Sequence, residues 1–120
     1  MAEFMMAMLV CRDLEKSKIF YRDTIGLKLI SDASPHWIDF DLGGGRRLGL
    51  HPAGEHLPII PGSLQLTFAV ANTDSLVSDA RTAGVRIFQD PFNDKFGRVA
   101  VLADPDGYPV QVMSPVQGSR

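Results

Sequence analysis

The chain has 120 residues, 45% of them hydrophobic and 22% charged, the make-up of one ordinary soluble domain that can bury roughly two-thirds of its unfolded surface. Its 14 acidic and 12 basic residues are interspersed and leave a net charge of −2, so no basic stripe is available for a phosphate backbone and nucleic-acid binding is not expected. A single cysteine rules out an internal disulfide framework, and Glu3 stands where a secretory signal would carry its basic region, so a cytoplasmic protein is expected.

The longest apolar run, Phe4 to Cys11, has eight residues. That is far short of the ~20 that cross a bilayer as a helix, so no membrane association is expected and the run reads as a buried strand. Asp13 is a good N-cap for a helix carrying Leu14, Ile19, Phe20 and Ile25 and ending at Gly26. Three strands follow, at 27–31, 36–42 and 46–51, with Ile38, Phe40 and Leu42 alternating in the second and Leu48 and Leu50 in the third. Gly43, Gly44 and Gly45 form the turn between the last two.

The second half repeats this order. Leu64, Leu66, Phe68 and Val70 alternate, Thr73 or Asp74 caps a helix with Leu76, Ala80 and Ala83 on one face, and Gly84 ends it. Strands are expected at 85–88, 98–103 and 109–113. Superposing Met6 on Gln65 gives an internal offset of about 59 residues. The expected organisation is a single domain over 1–120, with module one at about 4–51, a Pro- and Gly-rich link at 52–62 and module two at about 63–115.

Two strings carry a family resemblance. The first runs from Asp13-Leu14-Glu15-Lys16-Ser17 through Phe20-Tyr21-Arg22-Asp23 to Ile25-Gly26-Leu27, and the second is Gly97-Arg98 followed by Asp104-Pro105-Asp106-Gly107-Tyr108-Pro109. In this order, within a two-module chain, they resemble the vicinal oxygen chelate superfamily, which holds glyoxalase I, the bleomycin-resistance proteins, fosfomycin-modifying transferases and extradiol dioxygenases. The resemblance implies an α+β fold: two tandem βαβββ modules whose mixed sheets curl into a cup with helices outside. It also implies a homodimer and a small organic ligand in the cup. Read physically, Phe20 and Tyr21 are helix residues packing on a sheet, and Asp104-Pro105-Asp106-Gly107 is first of all a turn.

Strand alternation divides the residues between two faces. The sets Leu64/Leu66/Phe68/Val70, Ile38/Phe40/Leu42, Leu48/Leu50, Val99/Val101 and Val110/Val112 are expected under the helices. The complementary residues then line the cup: Met6, Met8, Val10, Trp37, Asp39, Gly49 and His51 from module one, and Gln65, Thr67, Arg98, Ala100, Leu102, Gln111 and Met113 from module two. This mixture of soft apolar groups with a few polar anchors suits a small organic molecule.

Metal-dependent members of the resembled superfamily hold one divalent ion at four strand positions, which fall here on Met6, Gly49, Gln65 and Gln111. Such ions prefer carboxylate oxygen or imidazole nitrogen, whereas these positions supply a thioether, no side chain and two neutral amides. No metal or other cofactor is expected. Shifting the fourth-strand position by two residues recruits His51 and still gives a poor site.

His51 is the best candidate acid/base group, since an imidazole titrates near neutrality. His56 reads as a loop histidine, Cys11 as a small buried hydrophobe, and Asp39 as a carboxylate paired with Arg98 or standing at the rim. The glycine run before Arg46-Arg47 precedes no helix and no Lys-Ser/Thr, so it is a hairpin turn and not a phosphate cradle. Three functions remain open: a metal-free binding protein, a superfamily enzyme using a metal or His51 with Asp39, and an accessory module with a vestigial cup.

Overall fold

The computed structural model describes residues 1–54, 58–61 and 64–116. They divide into two compact units, Met1–Ile59 and Ile60–Arg120. His56 lies outside the described residues.

In the first unit the apolar run forms β1 (Met6–Cys11), and Asp13 caps α1 (Leu14–Ile19) by accepting the Lys16 amide at 3.1 Å. The helix continues as a π-helical turn over Phe20–Ile25 and stops at Gly26, whose φ of 90° is left-handed. The wider π turn lets the consecutive rings of Phe20 and Tyr21 both be buried, packed edge to face at 4.9 Å, with Tyr21 reaching Phe40 at 6.2 Å. Periodicity in the sequence does not distinguish this widened turn from an ordinary helical one. Strands β2 (Lys28–Ala33), β3 (Trp37–Gly43) and β4 (Arg46–Pro52) follow, and the sheet order is β1-β4-β3-β2. β1 pairs with β4 in parallel, and the other pairings are antiparallel.

Register decides the faces. Leu9, Ile38, Phe40, Leu48 and Leu50 are buried beside α1, and Cys11, a thiol outside any disulfide, is buried with them. The opposite face of the same strands carries Met6, Met8, Trp37, Asp39, Gly49 and His51.

The second unit repeats the order with β5 (Leu66–Ala69), α2 (Thr73–Thr82), β6 (Ile87–Asn93), β7 (Arg98–Ala103) and β8 (Pro109–Ser114), in the sheet order β5-β8-β7-β6. Two βαβββ modules, each with a four-stranded mixed sheet, therefore make up the α+β architecture. The Asp104 carboxylate accepts the amides of Asp106 and Tyr108, each at 2.9 Å, and so closes the turn before β8.

Three expectations for this unit are corrected. The cap of α2 is Asn72, which accepts the Ser75 amide at 2.9 Å, and the buried helix face is Thr73, Val77 and Ala80 in place of Leu76, Ala80 and Ala83. Strand β6 runs to Asn93 and not to Phe88. Its register shifts beside Gln89 break the alternation that marks a strand, and its edge position accommodates Pro91.

The third correction is the orientation of β7. Arg98 pairs with Ser114, Ala100 with Val112 and Leu102 with Val110, so all six share the face of α2, while Val99 and Val101 lie on the opposite face with Met113 and Gln111. Every residue from Val99 to Ala103 is apolar, so alternation within this strand carries no information about face.

Among the described residues no helix is long and apolar enough to cross a membrane. Phe40 is completely buried between Tyr21 and the sheet, so Phe40→Ala should cost about 3–5 kcal/mol, read as a lower urea midpoint by circular dichroism.

Candidate functional site

The face of the first sheet turned away from α1 is organised around Trp37. Its indole Nε1–H donates to Asp39 Oδ2 at 3.1 Å, two residues along the same strand. Asp39 is only 7% exposed and also accepts from the Ser31 hydroxyl at 2.9 Å, with Arg47 Nη1 3.5 Å away on the neighbouring strand. The carboxylate thus has three partners, which is what a buried charge requires. The expected pairing of Asp39 with Arg98 is replaced by this local set, because Arg47 lies opposite Asp41 in the β3–β4 hairpin and stays within reach.

Gly49 lies directly across from Asp39. A Cβ built on Gly49 would stand 2.6 Å from Trp37 Cζ2 and still closer to Cη2, so the indole rests on the bare backbone of β4. His51, two residues beyond Gly49 on β4, meets the Trp37 ring edge to face at a centroid distance of 6.4 Å and an angle of 70°. Its Nδ1 is 2.8 Å from the Pro52 carbonyl oxygen. A carbonyl only accepts, so Nδ1 donates in this contact and Nε2 is the nitrogen turned away from it. Met8, 39% exposed, flanks Gly49 on β1, and Met6 is half-buried beside Arg47.

In the second unit the face away from α2 carries two rows. Gln89, Val101, Gln111 and Thr67 are successive partners across the four strands, and Phe92, Val99, Met113 and Ala69 form the next row. Gln65 Nε2 donates to Gln111 Oε1 at 3.4 Å, a long bond between exposed amides that a better partner can displace.

Arg98 takes no part in this face. It forms a two-pronged pair with Asp74 at 3.0 Å for each contact, and its carbonyl accepts the Thr73 hydroxyl at 2.6 Å. The hydrogen bond from Arg98 lowers the Asp74 pKa below the usual carboxylate range. Arg98 therefore anchors α2 to β7.

The fold implies a divalent ion in some relatives, and this donor set does not fit one. Position 49 has no side chain and is covered by the indole, position 6 supplies a thioether, and Gln65 and Gln111 supply neutral amides. Among the described residues no three His, Cys, Asp or Glu side chains converge.

Comparison with known proteins matches the model of the Glyoxalase/Bleomycin resistance protein/Dioxygenase superfamily over residues 4–112. The chain belongs to that superfamily. Among superfamily structures it is similar to TnmS3, an antibiotic binding protein from Streptomyces sp. CB03234, at 27% identity and a TM-score of 0.76, covering 96% of this chain and 97% of that one. It is also similar in fold to a glyoxalase-related enzyme from Fulvimarina pelagi, at 22% identity and a TM-score of 0.79, covering 95% and 88%. An uncharacterized protein of Bacillus subtilis (strain 168), YwkD, is 27% identical over 117 residues, 87% of this chain and 90% of that protein.

Sequence reasoning placed Trp37 and Asp39 on one face but missed Ser31 and Arg47 as the partners of Asp39. In the sequence Arg47 is one of two arginines that follow a glycine turn. Its position two residues before Gly49 on a two-faced strand was the available signal.

Because the Asp74 pKa is lowered in the folded state, the Asp74–Arg98 pair contributes stability above the ordinary carboxylate range and loses it as pH falls through the lowered value. Melting curves from pH 6 down to pH 2 should therefore fall less steeply for Asp74→Asn than for the wild type.

Proposed function

We propose that this protein binds a small organic molecule on the face carrying Trp37, and that it does so without a divalent metal. The observation that carries this reading is the indole held against Gly49 by its hydrogen bond to Asp39. It presents a rigid apolar surface beside Met8 and the Nε2 of His51. Superfamily membership and the antibiotic-binding relative support it. The ligand class that suits such a surface has a flat apolar portion and an uncharged polar group for which His51 is the anchor, with Met6 on the same face; in the second unit Gln65, Thr67, Gln111 and Met113 are proposed as ligand contacts of their own sheet face. The protein is proposed to be a homodimer, as the resemblance implies, and to work in the cytoplasm, where the buried thiol of Cys11 stays reduced.

Trp37 is the only tryptophan, so its fluorescence reports on this face alone. Titration with flavone, coumarin and benzophenone, with cyclohexanone as a non-aromatic control, should give saturable quenching by at least one flat compound. Absence of saturable quenching across the panel, with no thermal shift, overturns the reading.

The second reading is a metal-dependent enzyme, favoured by the Nε2 of His51, the ring nitrogen that does not meet the Pro52 carbonyl. On protein stripped with EDTA, a genuine site at one hundred times its dissociation constant would stabilise by ~2.7 kcal/mol. We expect no saturable thermal shift with Ni²⁺, Co²⁺, Mn²⁺, Fe²⁺ or Zn²⁺; a shift that Gln111→Ala abolishes would favour the enzyme.

A further inference from the structure

We infer that Gly49 and Asp39 act as one positioning device for Trp37, and that on this face an indole platform and a metal-ligating side chain at residue 49 exclude each other. The inference deepens the binding reading above and rests on it for its functional meaning.

The geometry leaves the indole little choice. Trp37 and Asp39 are on the same side of β3, and Gly49 lies across the strand from Asp39. To place Nε1–H on Asp39 Oδ2, the ring must lean along β3 toward Asp39, which carries its six-membered ring over Gly49. β4 cannot retreat, because it is hydrogen-bonded to β1 on one side and to β3 on the other. Any side chain at residue 49 must then displace a rigid aromatic ring, and displacing the ring breaks its bond to Asp39. Asp39 is itself held by Ser31 and Arg47, so the ring cannot carry the carboxylate with it.

The consequence reaches beyond packing. Position 49 is where the resembled metal-dependent proteins place a ligand, so the change that would restore a ligand there is the change that removes the platform. One residue thereby selects between two kinds of recognition on the same strand.

Two readouts that need no ligand test the inference. The first is acrylamide quenching of Trp37 fluorescence. Gly49→Ala should raise the quenching constant because the ring is pushed into solvent. Asp39→Leu should raise it too, whereas Asp39→Asn, which keeps a carbonyl acceptor for the indole N–H, should stay near the wild type. The second is a thermal double-mutant cycle. Gly49→Ala and Gly49→Glu should lower Tm in the wild type but be tolerated in Trp37→Ala, with a coupling of roughly 4 °C or more. If a single Gly49 variant does not fold, recovery of folding in the Trp37→Ala background is the same result. Unchanged quenching in Gly49→Ala, or equal Tm losses in both backgrounds, overturns the inference.

Failure of the flavone titration with a positive cycle would overturn the binding reading and leave the positioning device standing. The reverse pair of results would leave a binding face whose indole is not placed by Gly49.

Discussion

The register between β3 and β4 is the constraint on which the first unit depends. Placing Ile38 and Phe40 opposite Leu50 and Leu48 sends four large apolar side chains toward α1, and alternation then leaves no choice about the other face. Trp37, Asp39, Gly49 and His51 are displayed together because the hydrophobic core is built from their immediate neighbours. A slip of one residue would bury the carboxylate of Asp39 beneath a helix and expose the core, so packing energy protects the arrangement of the site.

The two modules share topology but differ in chemistry. The first offers an indole, an imidazole and a carboxylate held by three partners. The second offers amides, a hydroxyl and apolar groups that include Phe92 and Met113, with its charged Arg98 turned to the helix side. Arg98 and Thr73 tie α2 to β7 and β8, since Thr73 also meets the Ser114 hydroxyl at 2.8 Å. Polar side chains on the helix side thus serve the fold. Such a division suits a protein in which one face holds the structure and the other is free to vary.

Membership of the superfamily leaves metal chemistry to the residues at the ligand positions, and in this chain those are poor donors. A divalent ion needs several anionic or imidazole donors at fixed positions, and the indole of Trp37 occupies the space over Gly49 where one of them would project. The same backbone position that serves ion binding in one setting serves aromatic packing here.

By itself the sequence determined the module order, the helix start at Asp13, the stops at Gly26 and Gly84, and the faces of β1, β3, β4 and β8. In those places local propensity and alternation speak with one voice. It also showed that the positions of Met6, Gly49, Gln65 and Gln111 lack good metal donors, because donor chemistry is a property of residue type. Only the tertiary structure decided the rest. The all-apolar run from Val99 to Ala103 has no alternation to read, and its orientation comes from hydrogen-bonded pairing with β8. Likewise, Gly49 looks like any strand glycine until a ring from the neighbouring strand is seen lying on it. A side chain's resting place depends on what lies across the strand, and that is set by pairing between segments distant in the chain.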